Sequence, residues 1–144
     1  MNSGIKAYNQ VAVQTDVNDA SPHRLIQMLL DAALEKIAKA KGFMANKKIQ
    51  AKGENIGMAI SIIDVLRASL DMQSGGDISQ NLEALYDYMT RRLTEANVRN
   101  DVALLDEVAN LLLPIKQAWD AIPPDVREAH RKQAESDKEQ AAAG

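Results

Sequence analysis

The stretch from Ser74 to Asn97, SGGDISQNLEALYDYMTRRLTEAN, decides how the chain is read. Ile78, Leu82, Leu85, Tyr86, Met89, Leu93 and Ala96 recur at intervals of three and four, which keeps one side of an α-helix apolar and leaves the other polar. Gly75-Gly76 is predicted to end the helix before it, because glycine accepts the left-handed backbone in which helices terminate. Asp77 followed by Gln80 has the spacing of a capping box, so the next helix is expected to start at the aspartate. The glycines do not read as a phosphate cradle: the spacing G-x-x-x-x-G-K-[ST] is absent and no lysine follows them.

The same periodicity extends upstream and downstream. Ser21-Pro22 pairs a capping hydroxyl with a proline suited to the first helical position. Leu25, Leu29, Ala32, Ala33, Ile37, Ala40 and Phe43 or Met44 then mark a helix as far as Asn46, with Lys47 and Lys48 as the turn. A second stripe runs from about Lys48 through Ile56, Ala59, Ile60, Ile63, Leu66 and Leu70 to the glycines. Beyond Asn97, Asn100-Asp101 provides another cap, and Val102, Leu105, Val108, Leu112, Ile115, Trp119 and Ile122 form a fourth apolar face ending at Pro123-Pro124. Pro114 lies inside that face, where it removes a hydrogen bond to the carbonyl of Asn110; a kink is the expected relief.

Helices of roughly 22 residues are about 33 Å long, and turns of a few residues force neighbours to run antiparallel. The predicted fold is all-α: an antiparallel up-down-up-down four-helix bundle over residues 21–122. Residues 1–20 carry only a short amphipathic pattern at Ile5, Tyr8 and Val11 or Ala12, which cannot fold alone and must dock or remain mobile. Residues 123–144 are charged and alanine-rich, and are expected to be flexible or weakly helical.

Composition agrees with this reading. Hydrophobic residues make up 46% of the 144 but aromatics only 3%, so the core must be built from aliphatic side chains that suit helices. Without cysteine there is no disulfide, thiolate or cysteine-ligated zinc. The start of the chain lacks the apolar run of a signal peptide, and no stretch is long and apolar enough to span a bilayer. A cytosolic protein is expected. The net charge of −3, with both signs interspersed, argues against nucleic acid or membrane as partner.

Catalytic chemistry finds little support. A di-metal bundle requires Glu-x-x-His pairs, whereas Ala20 precedes His23 by three residues and Arg127 precedes His130. His23 reads as a surface residue beside the cap. Asp31, Glu35, Asp64, Asp71, Asp87, Glu95, Asp106 and Glu107 fall on or near polar faces, as solvated charges or helix ion pairs do. Tyr86 falls within the apolar stripe and is expected in the core. No enzyme activity, cofactor or metal is expected.

Two features suit a binding protein. Tyr88 projects about 100° from the centre of the core stripe, near Asn81, Ala84 and Arg92, and should be partly exposed. Met58, Ile62 and Val65 form a second apolar strip on helix two, off the Ile56/Ile60/Ile63 line, which widens its apolar arc to about half the circumference. Such an arc serves either a helix held between two neighbours or a groove for a partner. On the groove reading, Met58→Asp or Ile62→Asp should weaken binding and preserve helicity.

These residues resemble the flagellin export chaperone family, FliS. The resemblance runs from Ile5 and Tyr8, through ASPHRLIQMLLDAAL (20–34) and IIDVLRASLDMQSGGDISQNLEALYDYMTRRLTEAN (62–97), to LLLPIKQAW (111–119). Its specific part is the series Leu-Asp-x-x-x-Gly-Gly-x-Ile-x-x-Asn-Leu-x-x-Leu-Tyr-x-Tyr-Met at 70–89. The resemblance implies a cytosolic chaperone that binds the disordered C-terminal segment of flagellin, prevents premature polymerisation and delivers it to a component of the flagellar export gate. It also implies that Ile5 and Tyr8 cover part of the binding surface until flagellin displaces them. The expected partner-binding residues are therefore Ile5, Tyr8, Met58, Ile62, Val65, Asn81 and Tyr88. A co-chaperone or regulator and a homodimer are further partners to test. The alternative function is a self-associating helical adaptor. Leu30 departs from the family, many of whose members carry tyrosine there.

Overall fold

Ser21 caps the first helix as its sequence predicts, its Oγ accepting from the Arg24 amide at 3.1 Å with Pro22 in the first turn. The computed structural model describes residues 21–71 and 75–123, together with positions 126, 136, 139 and 140. Four helices follow in order: α1 Pro22–Ala45, α2 Ile49–Ala68, α3 Gly76–Arg99 and α4 Val102–Asp120. Each packs on the next and α4 packs back on α1, which makes a four-helix bundle. The expected N-terminal amphipathic segment and most of the tail lie outside the described residues.

Leu30, Ile56, Ile62, Ile63, Leu66, Met89, Leu93, Leu105, Val108 and Leu112 are almost wholly buried, and all four helices contribute to one cluster. Each large aliphatic side chain contributes about 1.5–3 kcal/mol by leaving water. Tyr86 joins them, as expected. Ile78, placed by its spacing on the same stripe, is instead 72% exposed. It lies in the first turn of α3, before the core begins at Leu82.

The α2–α3 connection departs from the expected one. α2 stops at Ala68, before the glycines, where the Ser69 hydroxyl donates to the Leu66 carbonyl at 2.7 Å and competes for the helix end. The glycines instead open α3. The Gly75 amide and the Ser79 hydroxyl both donate to the Asp71 carbonyl, at 2.9 and 2.8 Å. A Cβ on Gly75 would lie 1.7 Å from Ser79 Oγ and 2.6 Å from the Asp71 oxygen, and Gly76 takes a positive φ of 54°. Gly75 is the N-cap and no side chain caps the helix, so Asp77 is a first-turn acid acting on the helix dipole rather than half of a capping box.

The remaining junctions are closer to expectation. Asn100 ends α3 in the left-handed conformation, and Asp101 caps α4 by accepting from the Ala103 amide at 3.0 Å. α4 runs through Pro114 as one element. Pro114 and Asn110 are both exposed, so water can take the carbonyl that proline leaves unbonded.

His23 is a correction: it is buried, at 6% exposure, where a surface position was expected. Its Nε2 donates to the Trp119 carbonyl at 2.8 Å, the Trp119 indole donates to the His23 carbonyl at 2.9 Å, and the rings stack 5.1 Å apart. This reciprocal clasp joins the start of α1 to the end of α4. Sequence spacing could not show it, because the partners are 96 residues apart.

Candidate partner-binding surface

Arg67 orients α2. Its guanidinium donates to Glu83 Oε1 at 2.6 Å and to Asp87 Oδ1 at 3.3 Å, both on α3, so this side of α2 faces its neighbour. Val65 and Met58 precede Arg67 by two and nine residues and lie about 200° and about 180° around the helix from it. Both are half-buried apolar side chains on the side of α2 turned away from α3. Ile62, expected on the same open strip, is 1% exposed and belongs to the core. The wide arc of α2 is thus divided: Ile62 and Ile63 both pack inward, and Met58 and Val65 remain at its margin.

Tyr88 points towards α4. Its hydroxyl donates to Glu107 Oε2 at 2.8 Å, and Arg92 Nε donates to the other carboxylate oxygen at 2.8 Å. The Arg92 guanidinium also pairs with Glu95 at 2.9 Å and sits 5.6 Å from the centre of the Tyr88 ring. The Arg92 and Tyr88 bonds hold the Glu107 carboxyl below its ordinary pKa, and acceptance by Glu107 holds the Tyr88 phenol above its own. Asn81, two turns before Tyr88 on the same side of α3, is exposed.

The expected site residues therefore do not form one groove. Met58 and Val65 lie away from α3, whereas Asn81 and Tyr88 lie on the α4 side of α3, so the two pairs border different seams of the bundle. Ile5 and Tyr8 lie outside the described residues. Most of the candidate acids serve in structural ion pairs: Asp31 with Lys116, which also holds Asp120, Glu35 with Lys39, Asp87 with Arg67 and Arg91, and Asp106 with Lys41. Asp64 is shifted up by burial, against the pull of Arg67. Among the described residues no group of three potential ligands could hold a metal, and no helix is long and apolar enough to cross a membrane.

Comparison with known proteins settles the family. The family model for the flagellar protein FliS matches residues 4–126. The chain belongs to the FliS family. FliSB, a flagellar secretion chaperone of Pseudomonas aeruginosa, is 51% identical over 118 residues, which covers 82% of this chain and 94% of that protein. The flagellar secretion chaperone FliS of Salmonella typhimurium is 50% identical over 123 residues, covering 85% of this chain and 91% of its own. That of Vibrio cholerae is 43% identical over 125 residues, covering 87% and 92%. FliS proteins are secretion chaperones rather than enzymes.

Proposed function

We propose that this FliS protein is a cytosolic export chaperone that binds the C-terminal segment of flagellin, prevents its premature polymerisation and delivers it to a component of the flagellar export gate. The export-chaperone role rests on family membership. The surface assignment is carried by one observation: Met58 and Val65 are apolar and half-buried, and lie on the opposite side of α2 from Arg67, whose guanidinium meets α3. A disordered segment that folds on such a surface meets an ordering cost of several kcal/mol, and offsets it by burying about 1,000–3,000 Å². The separation of Met58 and Val65 from Asn81 and Tyr88 favours a segment that wraps around the bundle over one that fills a single groove.

Calorimetric titration with a peptide from the flagellin C-terminus tests this reading. Met58→Asp is expected to weaken binding by about tenfold or more, because the new carboxylate must be desolvated, while far-ultraviolet circular dichroism stays unchanged. Unchanged affinity would remove the α2 margin from the binding surface. Deleting residues 1–10 tests the role proposed for Ile5 and Tyr8 as a displaceable cover: flagellin affinity and amide-exchange protection in α2 and α3 should both change. Size-exclusion chromatography separates the chaperone from a self-associating adaptor, whose dimer would be indifferent to flagellin.

A further inference from the structure

The hairpin end of α1 and α2 concentrates charge that the rest of the chain does not share. Lys36, Lys39, Lys41, Lys47, Lys48 and Lys52 fall within residues 36–52, and that stretch contains no aspartate or glutamate, although the whole chain carries −3. Lys39 and Lys41 are spoken for by Glu35 and Asp106. Among the described residues no carboxylate pairs with Lys47, Lys48 or Lys52.

These lysines border a cavity of about 360 Å³ lined by Phe43, Met44, Lys47, Lys48, Ile49, Lys52 and Asn100. Its apolar part is accessible: Phe43 and Met44 are half-buried and Ile49 is 69% exposed. Lys52 distinguishes the cavity from a solvated basic face. It is 4% exposed, and its ammonium donates only to neutral oxygens, the Asn97 carbonyl at 2.9 Å and Asn100 Oδ1. An ammonium has three N–H donors, so one remains for an incoming acceptor, and a buried cation without a counter-charge favours an anionic one.

We propose that this cavity docks an acidic segment of a partner protein, an aliphatic or aromatic side chain packing on Phe43, Met44 and Ile49 while a carboxylate meets Lys52 and its neighbours meet Lys47 and Lys48. Charge complementarity selects the partner, and the apolar floor selects a polypeptide over a polyanion. All six basic residues are lysines, without the arginine forks and stacking aromatics that hold nucleic acid. The surface lies at the turn between α1 and α2, apart from the Met58/Val65 margin, and does not depend on the flagellin assignment.

The test is an amide chemical-shift titration of the full chain with a synthetic helical peptide carrying leucines on one face and glutamates on the other. Shifts clustered at residues 43–52 and at Asn100, with affinity falling as salt rises, are expected. Lys47→Glu combined with Lys48→Glu should lower affinity about tenfold, and because both positions are exposed the fold is retained. Ile49→Ser should weaken binding at every salt concentration. Ile78→Ser, at the exposed start of α3, should leave it unchanged. Absent shifts in the hairpin, equal binding of a lysine-for-glutamate control peptide, or the same shifts with oligouridylate or with phosphatidylglycerol-containing vesicles would each overturn the proposal.

Discussion

The α2 margin and the α4-facing side of α3 present the same kind of off-axis side chain in opposite states. On α2, Met58 and Val65 lie beside the core with no polar group to hold them, and Ile62 between them has sunk into it. On α3, Tyr88 is held by a carboxylate that also binds Arg92, and the seam with α4 is closed by polar bonds. One surface can be re-covered by a partner at the cost of apolar contacts alone, whereas the other must first break a charged hydrogen-bond network. An apolar residue off the main stripe therefore means different things according to what the neighbouring helix brings to meet it.

The sharpest way to break this contrast is a charge on α2. Ile62→Asp is expected to unfold the bundle, since an unpaired carboxylate at 1% exposure costs on the order of 5 kcal/mol, comparable to the total stability of a small domain. Met58→Asp, one turn away and only half-buried, should leave the thermal transition nearly in place. Paired denaturation curves check this. If both variants unfold, Met58 is core and α2 has no open margin; if neither does, the burial of Ile62 is not what holds α2 in place.

How much of this was legible depended on distance along the chain. Helix identities, the Ser21 and Asp101 caps and the burial of Tyr86, Met89, Leu93 and Ala96 all follow from contacts within a few residues or from one helix's own period. Ile62 departs from the open strip that its spacing shares with Met58 and Val65, because α2 packs inward through both Ile62 and Ile63. Tyr88 was correctly placed off the stripe, but its bond to Glu107 depends on the rotation of α4, which no spacing within α3 specifies. His23 and Trp119 meet only because the bundle closes, and Lys52 is buried only because α3 ends beside it.

The α2–α3 connection offers a smaller test, where the two surfaces diverge. Gly75→Ala should cost about 1–3 kcal/mol, because the new methyl collides with the Asp71 carbonyl, which is backbone, as well as with a serine that could rotate away. Gly76→Ala meets no neighbouring atom and incurs only the left-handed backbone penalty of roughly 1 kcal/mol. Equal effects in thermal unfolding would mean that the close approach at Gly75 relaxes freely and that the glycines serve only as a flexible joint.

The smallest effect separates the two surfaces by pH. Glu107 is held below its ordinary value by the Arg92 and Tyr88 hydrogen bonds, so it binds its proton less readily folded than unfolded. Its contribution is therefore fully present above the ordinary carboxylate pKa of about 4.3 and is lost as pH falls through the lower folded-state value. Tyr88 is shifted the other way, and its contribution is lost only as pH rises through a value above the ordinary phenol range, so the α3–α4 seam is intact near neutrality and is loosened on the acid side through Glu107 alone. Other paired acids, Glu35 and Asp120 among them, also weaken in acid, so the seam must be isolated by difference. The gap in melting temperature between the native chain and Glu107→Gln should be largest near neutral pH and shrink towards about pH 3. Met58→Ala should show a gap that does not change over the same range, because nothing at the α2 margin titrates with it. A constant gap for Glu107→Gln would mean that the Tyr88–Glu107–Arg92 bonds are exchanged freely with water, and that the α3 surface is as open to a partner as the α2 margin.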